Sequence, residues 1–191
     1  MKKILYVLIA IFFLTGCSAV NKSTVKMSAK KERRNCYSWN FKELIEKYSK
    51  EIEEDPKNAE AYGNRGYVYL KRGDIEEAIA DFNKAIDLNP NDSDAFLNIG
   101  KAYDVKKDID NALKNYNRSI DVDPSNINAY RERASIYDRK NEYSKALGDY
   151  NKIIEALPND RNAYLSRAIL YKEIKEYDKA LDDFDKAIKY S

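Results

Sequence analysis

Apolar side chains recur three or four positions apart along most of the chain, in short blocks separated by polar breaks. Before the first clear break, Tyr62, Gly66 and Tyr69 follow this spacing. After the break, at residues 71–74, the spacing resumes with four residues: Ala78, Phe82, Ala85 and Ile86. Because such a spacing places apolar residues on one face of an α-helix, the pattern predicts two amphipathic helices joined by a short turn.

The sequence pattern of this helix pair occurs four times with a period of 34 residues. The prolines show the period most plainly, since all four lie at this spacing: Pro56, Pro90, Pro124 and Pro158. Four further sets keep the same register: Tyr69, Tyr103, Tyr137 and Tyr171; Ala78, Ala112, Ala146 and Ala180; Phe82, Tyr116, Tyr150 and Phe184; Ile86, Ile120, Ile154 and Ile188. Periods of this length are typical of stacked supersecondary units, each of which buries its apolar face against its neighbours.

The residue types between the helices fit helix ends. Gly73 can adopt the left-handed conformation that ends a helix, and Asn141 at the equivalent position tolerates it. Lys107 and Lys175 at that position would lose about 1 kcal/mol or form another turn. Before each following helix stands a residue that can accept hydrogen bonds from the free amides of the first turn. These predicted N-caps are Asn58, Asp92, Asn126 and Asp160.

The units resemble tetratricopeptide repeats, whose pattern has an aromatic residue, Leu-Gly and Tyr on the first helix, then Ala, Phe and Ala on the second, then Pro. The first unit supplies Tyr62, Gly66, Tyr69, Ala78, Phe82, Ala85 and Pro90. The departures are Arg65, Arg133 and Arg167 in place of Leu, Ala134 and Ala168 in place of Gly, and Ser119 and Ile153 in place of Ala. The resemblance implies an all-α fold, a right-handed α-solenoid of four repeats at residues 59–92, 93–126, 127–160 and 161–191.

A half repeat is expected before the first full one. Residues 40–58 are typical of a single capping helix, whose start has a capping-box pattern in Asn40 and Glu43. Trp39 can pack on Leu44 beside this start. The apolar face of the helix is predicted to contain Leu44, Ile45, Tyr48 and Ile52. At the other end, the second helix of the fourth repeat has no further helix after it, and three residues are candidates for exposure: Leu181, Ile188 and Tyr190.

The first 16 residues are typical of a signal peptide. Two lysines precede an eleven-residue apolar run, Ile4 to Leu14, which as a helix is only about half as long as the hydrocarbon core of a bilayer. The sequence Leu-Thr-Gly-Cys that ends at Cys17 resembles the bacterial lipobox, which implies cleavage before Cys17 and lipidation of that residue. An ordinary signal peptide with a chance cysteine is the alternative. Residues 17–39 are expected to form a flexible basic tether. In lipoproteins of this kind an Asp after the cysteine commonly favours retention in the inner membrane, whereas Ser18 stands here, so the resemblance implies the outer membrane, if the cell has one.

Charge is unevenly distributed and argues against nucleic acid as a partner. The first 40 residues contain eight Lys or Arg and one Glu, so this segment carries +7 although the whole chain carries +2. The remaining body carries −5 and would be repelled by phosphate backbones. The chain contains no histidine, the side chain most often used for proton transfer near neutral pH and the commonest nitrogen ligand of transition metals.

No constellation of residues predicts catalysis, a cofactor or a metal site. Adjacent acidic residues on a helix diverge by about 100° and do not converge on one substrate. The segment from Asp121 to Glu132 approaches calcium-loop spacing, but Asn126 stands where the loop needs Gly, and Pro124 interrupts it.

A binding surface remains. In tetratricopeptide repeat proteins, the first helices of successive repeats line a concave groove that binds a peptide or helix of a partner protein. The resemblance places nine residues of this chain in such a groove: Asn64, Tyr67, Lys71, Asn98, Lys101, Arg131, Ser135, Leu165 and Ile169. The asparagines are expected to hydrogen-bond an extended backbone, and Lys101 and Arg131 to receive an acidic group.

The sequence therefore predicts a non-catalytic scaffold or adaptor that is anchored to a membrane by lipid and binds another protein of the bacterial cell envelope. A homo-oligomer stacked through the terminal repeats is the second interpretation. A hydrolase that uses carboxylates alone is a remote third.

Overall fold

The structure, a computed structural model, describes the backbone of residues 29–190 and the side chains of residues 41–190. This part of the chain forms nine α-helices and no strand. They are α1 (Ala29–Glu54), α2 (Ala59–Arg72), α3 (Ile75–Leu88), α4 (Ser93–Val105), α5 (Ile109–Val122), α6 (Ile127–Arg139), α7 (Tyr143–Ala156), α8 (Arg161–Glu173) and α9 (Tyr177–Lys189). Helices α2 to α9 pack as four consecutive pairs, and the second helix of each pair contacts the first helix of the next. The predicted all-α solenoid is confirmed.

The predicted helix ends are also confirmed. Each of the four N-caps accepts a hydrogen bond from the backbone amide three residues later, at 2.9 to 3.3 Å. At the breaks within the pairs, Gly73 has a φ of 97°. Its equivalents Lys107, Asn141 and Lys175 have φ values of 63°, 58° and 65°. Both lysines therefore adopt the left-handed conformation and do not form another turn.

Lys107 bears the conformational cost of its turn. Because a left-handed backbone costs an L-residue about 1 kcal/mol relative to glycine, Lys107→Gly is expected to raise the free energy of unfolding in urea by about that amount. Lys106 provides the control, since its φ of −71° gives glycine no advantage. We expect Lys106→Gly to leave stability unchanged or to lower it. Equal effects of the two substitutions would contradict this account of the turn.

Small residues at the helix crossings let the two helices of a pair approach closely. Four equivalent alanines are buried: Ala78, Ala112, Ala146 and Ala180. A Cβ added at Gly66 would lie 3.0 Å from the ring of Phe82, and one added at Gly100 only 2.5 Å from the ring of Tyr116. Both rings are fully buried. The alternation of small and aromatic residues that marks the repeat is therefore a packing pattern.

An ion pair that the sequence analysis did not predict joins the two helices in three of the four pairs. Arg133 donates from Nε and Nη2 to both carboxylate oxygens of Asp149, at 2.9 and 2.6 Å. Two other contacts have the same bidentate geometry: Arg65 with Asp81, and Arg167 with Asp183. All three aspartates are buried. We call these contacts the Arg–Asp pairs.

Each arginine of the Arg–Asp pairs also lies between two tyrosine rings. The guanidinium carbon of Arg133 is 5.4 Å from the ring centroid of Tyr130 and 5.9 Å from that of Tyr137. In the second repeat, Ile99 occupies the arginine position and Asn115 the aspartate position. The second repeat therefore lacks both the arginine and the aspartate of the pair. The arginines that depart from the family pattern are therefore members of a repeated contact between helices.

Helix α1 begins at Ala29, eleven residues before the predicted start. Asn40 lies inside this helix, so the predicted capping box is wrong and the expected flexible tether is helical from Ala29 onwards. Residues 29–34 consist of Ala, Lys, Glu and Arg, whose helix propensity is high. The predicted apolar face is partly buried, since intermediate exposure is found at all four positions: Leu44, Ile45, Tyr48 and Ile52.

The last helix leaves apolar groups in solvent. Leu181 is 62% exposed and Ile188 is 70% exposed, as expected. Tyr190 is half-buried, and its ring centroid lies 5.8 Å from that of Tyr164. Cys17 and the lipobox lie outside the described residues. Of the helices in the described range, none is long and apolar enough to cross a membrane.

Candidate peptide-binding groove

The groove predicted from the sequence lies on the first helix of each pair, α2, α4, α6 and α8. Helix α2 contacts α4, and α4 contacts α6, so neighbours along this surface come from different repeats. Residues 34 positions apart share a place on these helices and form rows across the groove. One row contains Asn64, Asn98, Glu132 and Ser166. The next contains Tyr67, Lys101, Ser135 and Ile169.

A pocket of about 280 Å³ opens between α2 and α4. Three predicted groove residues line it: Asn64, Tyr67 and Asn98. Three carboxylates also line it: Glu60, Asp92 and Asp94. The structure therefore brings the predicted amides together, as expected, but surrounds them with negative charge. This end of the groove favours a neutral or basic ligand group.

The two groove residues that were predicted to receive an acidic ligand group already face carboxylates of this chain. Nζ of Lys101 lies 3.5 Å from Oε1 of Glu132 on α6. Nη2 of Arg131 donates to Oδ2 of Asp160 at 2.6 Å. Burial raises the pKa of Asp160, but hydrogen bonds from Arg131 and from backbone amides at the start of α8 outweigh this and hold the pKa below its ordinary value. An incoming acid would have to displace the residue that caps α8.

Sequence reasoning missed the partners of these cations and one further pair. Arg139 on α6 donates from Nη2 to Oδ1 of Asp104 on α4 at 2.5 Å. Together with Lys101 and Glu132, this contact places two ion pairs along the boundary between α4 and α6. The signal was available in the register, because Glu132 occupies the row of Asn64 and Asn98, and Arg139 lies two periods after Lys71.

Apolar side chains also reach solvent on these helices. Tyr67 is 45% exposed, Val105 63% and Ile169 49%. Nζ of Lys71 lies 5.1 Å from the ring centroid of Tyr67. An extended peptide offers a backbone that needs hydrogen bonds and side chains that gain from apolar contact. The mixture of amides and exposed apolar groups meets both needs.

Two tyrosines behind the groove differ in their hydrogen bonding. Tyr116 is fully buried, and its hydroxyl has no hydrogen-bond partner among the described residues. Burial raises the pKa of its phenol, and the charges of Glu132 and Asp104 add to the increase. Burial also raises the pKa of the equivalent Tyr150, but there a hydrogen bond with Ser166 acts in the opposite direction.

This difference predicts opposite responses to loss of the hydroxyl. Tyr116→Phe is expected to leave the free energy of unfolding unchanged or to raise it by about 1 kcal/mol, because a buried unpaired polar group is removed. Tyr150→Phe is expected to lower it by about 1 kcal/mol, because a hydrogen bond is lost. Urea unfolding of both variants measures the two values. A loss at Tyr116 as large as that at Tyr150 would mean that both hydroxyls are satisfied.

In the part of the chain that the structure describes, no group of three or more potential metal ligands is close enough to hold an ion. Asp123, in the segment with calcium-loop spacing, accepts hydrogen bonds from the amide and the hydroxyl of Ser125, at 2.9 and 2.7 Å. Its contacts therefore stabilise the turn between α5 and α6.

Comparison with family models gives two results. Tetratricopeptide repeat models match residues 59–92, 97–161 and 162–191, which together make up more than half of the chain. A model of the prokaryotic membrane lipoprotein lipid attachment site matches residues 1–18. Among curated proteins, no relative matches this chain.

Solved structures with the same fold include MamA. One crystal structure of MamA has a TM-score of 0.72 and 25% identity, and the match covers 90% of this chain and 96% of that chain. MamA from Desulfovibrio magneticus RS-1, residue 41 to the end, has a TM-score of 0.69 and 18% identity over 84% of this chain and 93% of that one. YrrB, described as a TPR protein with an unusual peptide-binding site, has a TM-score of 0.63 and 24% identity over 82% of both chains.

Proposed function

This chain belongs to the tetratricopeptide repeat family, and from that premise we propose that it is a non-catalytic scaffold of the bacterial cell envelope. It holds an extended segment of another protein in the groove of α2, α4, α6 and α8. A lipid on Cys17 keeps it at the membrane, which the matched lipid attachment site supports. The observation that carries the proposal is the exposure of Tyr67, Val105 and Ile169 on three of the four first helices, α2, α4 and α8, beside the amides of Asn64 and Asn98.

The contacts of the groove suggest where the backbone, a basic side chain and an acidic side chain of the ligand would bind. Asn64 and Asn98 lie in one row and offer both donors and acceptors to a peptide backbone. A ligand residue that enters the pocket between α2 and α4 meets Asp94 and its neighbouring carboxylates, so a Lys or Arg side chain suits this place. An acidic ligand group fits best at Lys101, because the alternative, Arg131, is held by the cap of α8.

Photo-crosslinking in intact cells tests the groove. A photoreactive residue at position 98 or 169 is expected to trap a partner, whereas one at the exposed position 84 on α3 serves as the control and should not. Asn98→Ala with Ile169→Lys should reduce trapping at a third groove position, residue 67, at least tenfold without a change in Tm. Charge reversal of Arg131 is unsuitable as a test because it would set a carboxylate against Asp160. Equal trapping from positions 84 and 98 would refute the groove assignment.

Fractionation tests the anchor and the compartment. If Cys17 carries the lipid, Cys17→Ala moves the protein from the membrane fraction to the soluble fraction. If the leader is an ordinary signal peptide, the substitution changes nothing. We further propose that the protein lies at the outer membrane where the cell has one, because Ser18 follows the cysteine. Ser18→Asp should then shift it to the inner-membrane fraction, and an unchanged distribution would contradict the assignment.

A further inference from the structure

The outer face of α9 has the composition of a buried interface but is exposed. Tyr177 is 58% exposed and Leu181 62%. Their equivalents one repeat earlier, Tyr143 and Leu147, are half-buried and pack against a cluster that includes residues of α8. The same positions are thus covered by a following first helix inside the solenoid and are uncovered on α9.

One polar position is equivalent on α1, α5, α7 and α9, and on the first three of these helices it accepts a hydrogen bond from an arginine of the covering helix. Nη1 of the arginine in each Arg–Asp pair donates to the helix that precedes its own pair, which is α1 for Arg65 and the second helix of the preceding repeat for the other two. The three contacts are Arg65 to Ser49 at 3.0 Å, Arg133 to Asn117 at 2.7 Å and Arg167 to Asn151 at 2.6 Å. The equivalent residue on α9 is Asp185, which is exposed and pairs with no cation among residues 41–190. A carboxylate attracts a guanidinium more strongly than an amide or a hydroxyl does.

We propose that the outer face of α9 binds an amphipathic helix of a partner protein whose arginine pairs with Asp185. The covering helices inside the solenoid define the motif of this partner. Three of them carry an arginine with a tyrosine three positions before it and another four positions after it: Tyr62-Arg65-Tyr69, Tyr130-Arg133-Tyr137 and Tyr164-Arg167-Tyr171. The partner helix therefore has the pattern Tyr-x-x-Arg-x-x-x-Tyr, with apolar residues on the same face.

The four repeats of a second copy, residues 59–190, do not provide such a helix. The helices that carry the motif are α2, α6 and α8, and their arginines are already held by buried aspartates. The side chains of these arginines are no more than 19% exposed. A folded second copy would have to break an Arg–Asp pair to offer one to Asp185. The contact with Asp185 therefore favours a helix of another protein over the repeats of a second copy.

Titration with a helical probe tests this interface on the full mature chain. The probe is a stapled peptide with the sequence of residues 161–173, and the control is the same peptide with Arg167→Gln. We expect the control to bind at least tenfold more weakly. Asp185→Asn in the protein should weaken the first peptide by a similar factor and leave the control peptide unaffected. Asp178→Asn, an exposed carboxylate on the same helix, should change neither, and Leu181→Lys should abolish binding.

Three results would overturn the proposal. The first is equal affinity of the two peptides. The second is a crosslink from the bound probe to Ile169 in the groove in place of Leu181. The third is concentration-dependent dimerisation in sedimentation that Leu181→Lys abolishes, which would assign the face to a second copy. The groove variant Asn98→Ala should leave probe binding unchanged. A negative result for the α9 face would therefore not count against the groove, and a negative result for the groove would not count against the α9 face.

Discussion

Replacement of Asp149 by alanine is expected to lower the free energy of unfolding by about 3 kcal/mol, because breaking a buried ion pair leaves an uncompensated charge. The side chain of Arg133 is only 18% exposed and that of Asp149 6%. Without Asp149, the guanidinium keeps its place between two tyrosine rings but loses two of its hydrogen bonds. Urea denaturation with an unchanged m-value measures the loss.

The second repeat supplies a matched control for this prediction. Ile99 and Asn115 occupy the positions of Arg133 and Asp149, and Ile99 is buried in the core. The double variant Arg133→Ile with Asp149→Asn should therefore recover to within about 1 kcal/mol of the natural chain, since well-packed apolar residues often replace a buried ion pair without cost. A double variant as unstable as Asp149→Ala would show that the two sites are not interchangeable.

Gly100→Ala is expected to lower the free energy of unfolding by about 1 to 2 kcal/mol. The added Cβ would lie 2.5 Å from the ring of Tyr116, a ring that is fully buried and cannot swing into solvent. Overpacking of this kind typically costs about 1 to 3 kcal/mol. Because the approach is so close, we expect a cost of about 2 to 3 kcal/mol, which exceeds the roughly 1 kcal/mol that alanine gains over glycine in a helix. Thermal and urea unfolding both report the change.

Substitution of Gly148 separates the cost of overpacking from the gain in helix propensity. This glycine lies in α7, and a Cβ there would meet no atom within 4 Å. Gly148→Ala should therefore raise stability by up to about 1 kcal/mol through helix propensity alone. If Gly100→Ala also raised stability, the close approach of α4 to Tyr116 would not constrain the fold. The equivalent residues Ala134 and Ala168 already carry this Cβ. The close approach is therefore confined to the first two repeats, where Gly66 and Gly100 stand, and it is tightest in the second.

Local residue chemistry made the architecture predictable. Asn58 and its equivalents were recognisable as N-caps because a side-chain oxygen at that place has one obvious use. Gly73 and Asn141 likewise identified the left-handed turns. The start of α1 was not predictable in this way, because Asn40 has the chemistry of a cap but the helix already begins at Ala29, in a stretch of strong helix formers at residues 29–34.

Contacts between helices were harder to predict. Arg133 was noted only as a departure from a family pattern, because its partner Asp149 lies 16 residues away on another helix. The joint change to Ile99 and Asn115 was a readable signal for this contact. In the groove, the register located Lys101 and Arg131 but could not show that Glu132 and Asp160 reach them. Whether these carboxylates reach the cations depends on the rotation of each helix pair relative to the preceding one. The repeat length alone does not determine this rotation.

The chemistry of the Arg–Asp pairs also determines how the solenoid responds to acidification. Arginine stays protonated at every pH that a cell meets, and pairing with aspartate raises the pKa of Arg65 and Arg167 further. Histidine, whose charge changes between pH 5 and 8, is missing from the whole sequence. The folded repeats therefore lack the side chain that most often senses protons over that interval. A protein held in the envelope, as proposed, would keep its shape while the medium around the cell turns mildly acidic.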